Sequence, residues 1–111
     1  MITTHVLDIA QGGPAAGVAV ILEIRMASDW TPVGRGTTDA DGRLSSLTDD
    51  FPVAPGTYRL TFNLGDYHRG RGVSAPFFPE ATVTFTVRDG SQHYHVPLVV
   101  SPFGYSTYRG A

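Results

Sequence analysis

Histidine is the side chain whose ordinary pKa lies near neutral pH, and this chain has four: His5, His68, His93 and His95. His93 and His95 stand two residues apart, which on a strand points both imidazoles to one face. Such a pair can move protons, bind zinc with a third ligand, or simply face solvent. A third ligand would come from His5 or His68, and no spacing supports one. Asp39-Ala40-Asp41-Gly42 has a calcium-loop look. Counting from Asp39, however, Leu44 and Asp50 occupy the places where a calcium loop needs glycine and glutamate. A tight turn delivering Arg43 to the next strand is the expectation. All eight basic residues are arginine, which excludes Schiff-base chemistry through a lysine side chain. Arg43 and Arg109 suit planar, bidentate contacts to oxygen anions. No cysteine is present, which removes a thiol nucleophile, disulfides and Cys-ligated metal together. Neither Gly-x-Ser-x-Gly nor a Gly-rich phosphate loop occurs.

The elements that must position these groups read as strands. Val18, Val20, Leu22, Ile24 and Met26 alternate with Ala19, Ile21, Glu23, Arg25 and Ala27. Tyr58, Leu60 and Phe62, then Val83, Phe85 and Val87, then Tyr94, Val96 and Leu98 repeat the period of two. If the Tyr94 face is core, His95 points outward. Seven or eight short strands are expected, at about 4–10, 17–27, 30–38, 43–47, 57–63, 81–88, 92–100 and 104–109. Gly12-Gly13-Pro14, Ala54-Pro55-Gly56, Asp41-Gly42 and Asp89-Gly90 are turn signals, the last two suited to hairpins. Asn63 can cap a short helix reaching about Arg69. That many strands joined by short turns means a sandwich or small barrel.

At 111 residues the chain is expected to form one domain, 1–111, large enough to bury a core without staples. Charged residues are only 16%, which fits a protein that hides surface in an oligomer. A net charge of −2 gives no electrostatic case for nucleic acid or an anionic membrane. No apolar run approaches a membrane span, and Met1-Ile2-Thr3-Thr4-His5 lacks the features of a signal peptide. The cytoplasm is therefore the expected compartment. The strand-like ending Tyr105-Ser106-Thr107-Tyr108-Arg109 suggests that this segment is used structurally or in a site.

Three stretches carry a family resemblance. They are Thr4-His5-Val6-Leu7-Asp8, the turn Asp41-Gly42-Arg43, and the long block from Tyr94 through Pro102-Phe103-Gly104-Tyr105 to Tyr108-Arg109-Gly110. Together they resemble the transthyretin-related 5-hydroxyisourate hydrolases. The related hormone carrier transthyretin has lysine, glutamate and threonine where this chain has His5, Arg43 and His95. The hydrolases have the residues found here. They usually finish Tyr-Arg-Gly-Ser, whereas this chain has Ala111 in the last of those places.

The resemblance implies an all-β, transthyretin-like sandwich of two four-stranded sheets with one short helix. It implies a homotetramer, a dimer of dimers, with sites at the dimer–dimer interface. It implies cofactor- and metal-independent hydrolysis of a cyclic amide in 5-hydroxyisourate. His5 and His95 would share water activation and proton transfer. Arg43 would grip substrate oxygens, and Tyr108 and Arg109 would line the pocket. The competing reading is a transthyretin-like binding module for a small aromatic ligand, without catalysis.

Overall fold

A computed structural model describes all 111 residues. In chain order the elements are β1 (Ile2–Asp8), β2 (Gly13–Pro14), β3 (Ala19–Met26), β4 (Asp29–Thr37) and β5 (Arg43–Leu44). There follow β6 (Gly56–Asn63), α1 (Leu64–Gly70), β7 (Glu80–Val87), β8 (Tyr94–Ser101) and β9 (Gly104–Thr107).

The period-two runs form two sheets facing across one core. The first is antiparallel, in the order β4-β3-β6-β7. The second runs β2-β1-β8-β9, with β5 taking the same edge of β1 as β2 but further along. That sheet is nowhere more than four strands wide, which is the expected sandwich with two two-residue fragments, β2 and β5, sharing one edge. Val20, Leu22 and Ile24 of β3 and Tyr58, Leu60 and Phe62 of β6 are buried against Ile2 and Val6 of β1 and Val96, Leu98 and Val100 of β8. Each such aliphatic or aromatic side chain contributes about 1.5–3 kcal/mol by leaving water. This burial fixes register, because a one-residue slip would send every core side chain outward.

The connection β1 to β8 is parallel, with Thr3 opposite His95 and His5 opposite Pro97. Alternation alone could not reveal that pairing. Asn63 caps α1 as expected, its side chain accepting from the Asp66 N–H at 3.1 Å.

Four expectations change. Gly13–Pro14 is paired with Leu7 and Asp8 rather than being only a turn. Met26 is 57% exposed, because β3 runs past the end of the core into a tight turn. Asp41-Gly42 and Asp89-Gly90 are turns but not hairpins: β4 does not pair with β5, and the second crosses from one sheet to the other. Gly42 does use positive φ, at 77°. Gly90 does not; a Cβ there would collide with the Val53 carbonyl.

Candidate active site

Strand alternation divides β1 into two sets. Ile2, Thr4, Val6 and Asp8 face the core, so Thr3 and His5 must face out. Register then decides their neighbours. Thr3 stands opposite His95 on β8, and His5 opposite Arg43 on β5. Thr3, His5, Arg43 and His95 therefore share the outer face of one sheet. They come from chain segments far apart in sequence.

A hollow of about 390 Å³ opens on this face, lined by Thr3, Asp39, Arg43, Ser45, His93, His95 and Ala111 among others. That is within the range of small-ligand sites. His5 borders it through its neighbour across the register, Arg43. The backbone reasons for Arg43 are local. Asp39 Oδ1 accepts from the N–H groups of Asp41 and Arg43 at 2.9 and 3.0 Å, which closes the turn ahead of β5. The Arg43 N–H holds the Asp39 carboxyl below the usual carboxylate range. The Asp-x-Asp-Gly stretch is spent on this turn.

Hydrogen bonds constrain the imidazoles. His5 Nε2 lies 2.9 Å from the Asp41 carbonyl oxygen, which can only accept. Nε2 therefore carries the proton, and the neutral ring keeps its lone pair on Nδ1. His95 Nδ1 lies 2.8 Å from Thr3 Oγ1, leaving Nε2 for the hollow. Burial pushes the His95 pKa below its ordinary 6.5, and repulsion from His93 whenever that ring is protonated, and from the Arg43 guanidinium, pushes it further. His95 is thus neutral at pH 7 and able to accept a proton.

The closing segment returns to β8 in two steps. β9 pairs with β8 as far as Thr107 opposite Leu98. The next β8 residue, Pro97, has no N–H to give, so the ladder lapses there. It resumes in the same register where the Gly110 N–H donates to the His95 carbonyl at 2.8 Å. Alternation then puts Gly110 on the face of His95. A Cβ on Gly110 would lie 2.6 Å from His95 Cδ2, so only glycine lets the segment lie flat against that ring.

Arg109 falls on the opposite face. Its guanidinium sits 4.5 Å from the centre of the Tyr94 ring, and Nη2 donates to Gln92 Oε1 at 3.1 Å. Tyr108 and Arg109 line a second hollow of about 240 Å³, with Val83, Phe85 and Tyr94. Within one chain, then, His5, Arg43 and His95 converge, while the expected pocket residues Tyr108 and Arg109 do not join them.

Sequence reasoning missed Thr3. Its hydroxyl lies between His95 Nδ1 and His93 Nε2, which is 2.7 Å away. The usable signal was its position two before His5 on the same strand face. His68 is not on this face: it is buried on α1, edge-on to Tyr67, with Nε2 unpartnered. No three His, Cys, Asp or Glu side chains lie close enough to share a metal ion.

Two facing sheets, one short helix and a histidine–arginine hollow on an outer face define a transthyretin-like protein carrying a polar site equipped for proton transfer. The comparisons agree and go further. Residues 2–110 match the HIUase/Transthyretin family, and the chain belongs to that family. It is 50% identical to the 5-hydroxyisourate hydrolase of Deinococcus radiodurans over 114 residues, covering 99% of this chain and 95% of the relative. It is 43% identical to the Salmonella typhimurium 5-hydroxyisourate hydrolase over 111 residues, covering all of this chain and 81% of the relative. Among solved structures, Klebsiella pneumoniae 5-hydroxyisourate hydrolase superimposes with a TM-score of 0.85 at 33% identity, covering 99% and 98% of the two chains. Sea bream transthyretin in complex with thyroxine gives 0.91 at 33% identity, covering 98% and 93%.

Proposed function

We propose that this protein hydrolyses 5-hydroxyisourate to 2-oxo-4-hydroxy-4-carboxy-5-ureidoimidazoline, a step in urate breakdown. The observation that carries the reading is the convergence of His5, Arg43 and His95 on one outer sheet face beside a ligand-sized hollow.

The reaction adds water across a cyclic amide. The water oxygen bonds to the carbonyl carbon while an imidazole takes one of its protons. The carbonyl oxygen becomes an oxyanion, which Arg43 stabilises as charge develops. Collapse of the tetrahedral intermediate breaks the C–N bond, and the imidazolium returns the proton to the leaving nitrogen. The neutral His95 ring and the bare His5 Nδ1 are the two groups placed to share these transfers.

Residues 1–111 act as one hydrolase domain in this reading, and the compartment is the cytoplasm. The working form is a homotetramer, a dimer of dimers with its sites at the dimer–dimer interface. Tyr108 and Arg109 reach substrate only through such an assembly, because their own chain turns them to the other hollow. Exposed Phe77 and Phe103, at 69% and 73%, are consistent with surface that a neighbour covers.

The likeness to thyroxine-bound transthyretin favours a second reading, a binding module for a small aromatic molecule. Arg43 and the imidazoles suit an anionic, oxygen-rich heterocycle better than a bulky apolar one. The test is the decay rate of freshly made 5-hydroxyisourate, with and without catalytic amounts of protein. Acceleration lost in a folded His95→Ala variant supports hydrolysis. No acceleration by wild-type protein moves the assignment to binding.

A further inference from the structure

Thr3 Oγ1 makes two short contacts to ring nitrogens, at 2.7 Å to His93 Nε2 and 2.8 Å to His95 Nδ1. A hydroxyl has one hydrogen to donate. Both bonds form together only when one ring donates and the other accepts, or when both rings donate. Thr3 is 6% exposed, and its β-branch limits rotation, so the hydroxyl is held between the rings.

With both rings neutral, two arrangements satisfy the pair. In the first, His93 Nε2–H donates to Thr3, and Thr3 donates to His95 Nδ1. His95 then carries its proton on Nε2 and presents an acid to the hollow. In the second, His95 Nδ1–H donates to Thr3, and Thr3 donates to His93 Nε2. His95 then presents a bare Nε2, the base. The state of His93 therefore selects which end of the reaction His95 can serve.

We propose that His93 and Thr3 are positioning residues forming a proton relay that sets whether His95 faces substrate as base or as acid. The inference rests on the hydrolase reading and adds two residues to it. The steps balance in protons. His95 Nε2 takes a proton from the attacking water, giving an imidazolium with Nδ1–H donating to Thr3. Thr3 passes its own hydrogen to His93 Nε2 and takes the Nδ1 proton of His95. The positive charge has moved to His93, and His95 is neutral with its proton on Nε2. As that proton goes to the leaving nitrogen, Thr3 gives its hydrogen back to His95 Nδ1 and takes the extra proton from His93 Nε2, so both rings end neutral as they began. His93, exposed at the rim, holds the charge beside solvent in the interval. The charged or titratable groups facing the relay are His5 from β1, Arg43 from β5, Asp39 from the turn before β5, and the Met1 amine. The fixed positive charge of Arg43 favours passing charge outward to the rim.

The test uses the full-length protein in its native assembly and the variants Thr3→Val, Thr3→Ser, His93→Phe and the double variant Thr3→Val/His93→Phe. Thr3→Val keeps the shape of the side chain and removes the hydroxyl. We expect kcat to fall roughly 10- to 100-fold, less than loss of a whole acid–base group, with KM changed less than about threefold. Thr3→Ser restores most of kcat. The double variant is no slower than the worse single one, because each breaks the same chain. Wild-type kcat in Thr3→Val overturns the relay, as does no rescue by Thr3→Ser or multiplicative losses in the double variant. A second readout is independent of turnover: nitrogen-15 NMR of the imidazoles. His93→Phe should change the tautomer balance of His95, and an unchanged balance overturns the relay. If wild-type protein does not accelerate 5-hydroxyisourate decay, the hydrolase reading fails, while the NMR result still decides the coupling.

Discussion

β1 carries a polar cluster at each end, and the two clusters are built to opposite standards. At the far end Asp8 is 3% exposed, yet both carboxylate oxygens are occupied. Oδ1 accepts from the N–H groups of Ala10 and Gln11 at 2.9 and 3.2 Å. Oδ2 accepts from Gln11 Nε2 at 3.1 Å and from the Tyr67 hydroxyl at 2.7 Å, tying β1 to α1. Burial, then the Asp8 contact, pushes the Tyr67 hydroxyl up to about 12, so it stays a donor. At the near end, one Thr3 hydroxyl serves two rings, and neither His95 Nε2 nor His5 Nδ1 is hydrogen-bonded in the chain. A saturated network specifies a fold; a network with spare valence can meet a substrate.

The sharpest way to break this contrast is at His95. His95→Ala should lower kcat by about 10²- to 10⁴-fold with the melting temperature nearly unchanged, measured by substrate decay and calorimetry. A large thermal loss with modest kinetic loss would make that end structural like the other.

Gly110→Ala comes next. The new Cβ presses on the His95 ring, so the ring or the closing segment must shift. A displacement of this size should cost roughly 10- to 100-fold in kcat. Wild-type turnover in this variant would mean that the ring position is not critical.

Tyr67→Phe addresses the saturated end. It removes a bond to a buried carboxylate that keeps its other donors, and should cost about 1–3 kcal/mol in denaturant unfolding. kcat should not move, because Tyr67 lies away from the hollow.

The smallest effect is in pH. His95 is held below 6.5 when folded and titrates near 6.5 when unfolded. Between those values the unfolded chain binds more protons, so stability rises with pH there. The contribution is complete above 6.5 and is lost as pH falls through the folded value. The acid limb of kcat/KM should likewise lie below 6.5; a limb at or above 6.5 contradicts a depressed His95.

Much of this was legible in the sequence, for stated reasons. Burying one face of a strand leaves a period of two, so Val18 through Ile24 and Tyr58 through Phe62 announced their strands. Asn63 announced its helix by offering a side-chain acceptor just ahead of it. His5, Arg43 and His95 were found through the resemblance, and the register explains why they meet. Thr3 was not legible, because its partners depend on a parallel pairing with a strand 92 residues on. The direction of Arg109 was not legible either. It follows from the lapse at Pro97 and from alternation counted back from Gly110, which requires the register of β9. Gly13–Pro14 was hidden because a two-residue pairing leaves no period.

That parallel pairing also has a consequence in time. β3 and β4 are joined by a tight turn and need close only a short loop, whereas β1 and β8 must find one another across most of the chain. Each doubling of loop length adds about 0.6 kcal/mol of closure entropy, and distant pairings form slowly. During refolding, amides of β3 and β4 should gain protection from exchange before those of β1 and β8, and turnover should return only with the later set. The molecule thus acquires its shape before its chemistry, and the interval between the two can be clocked.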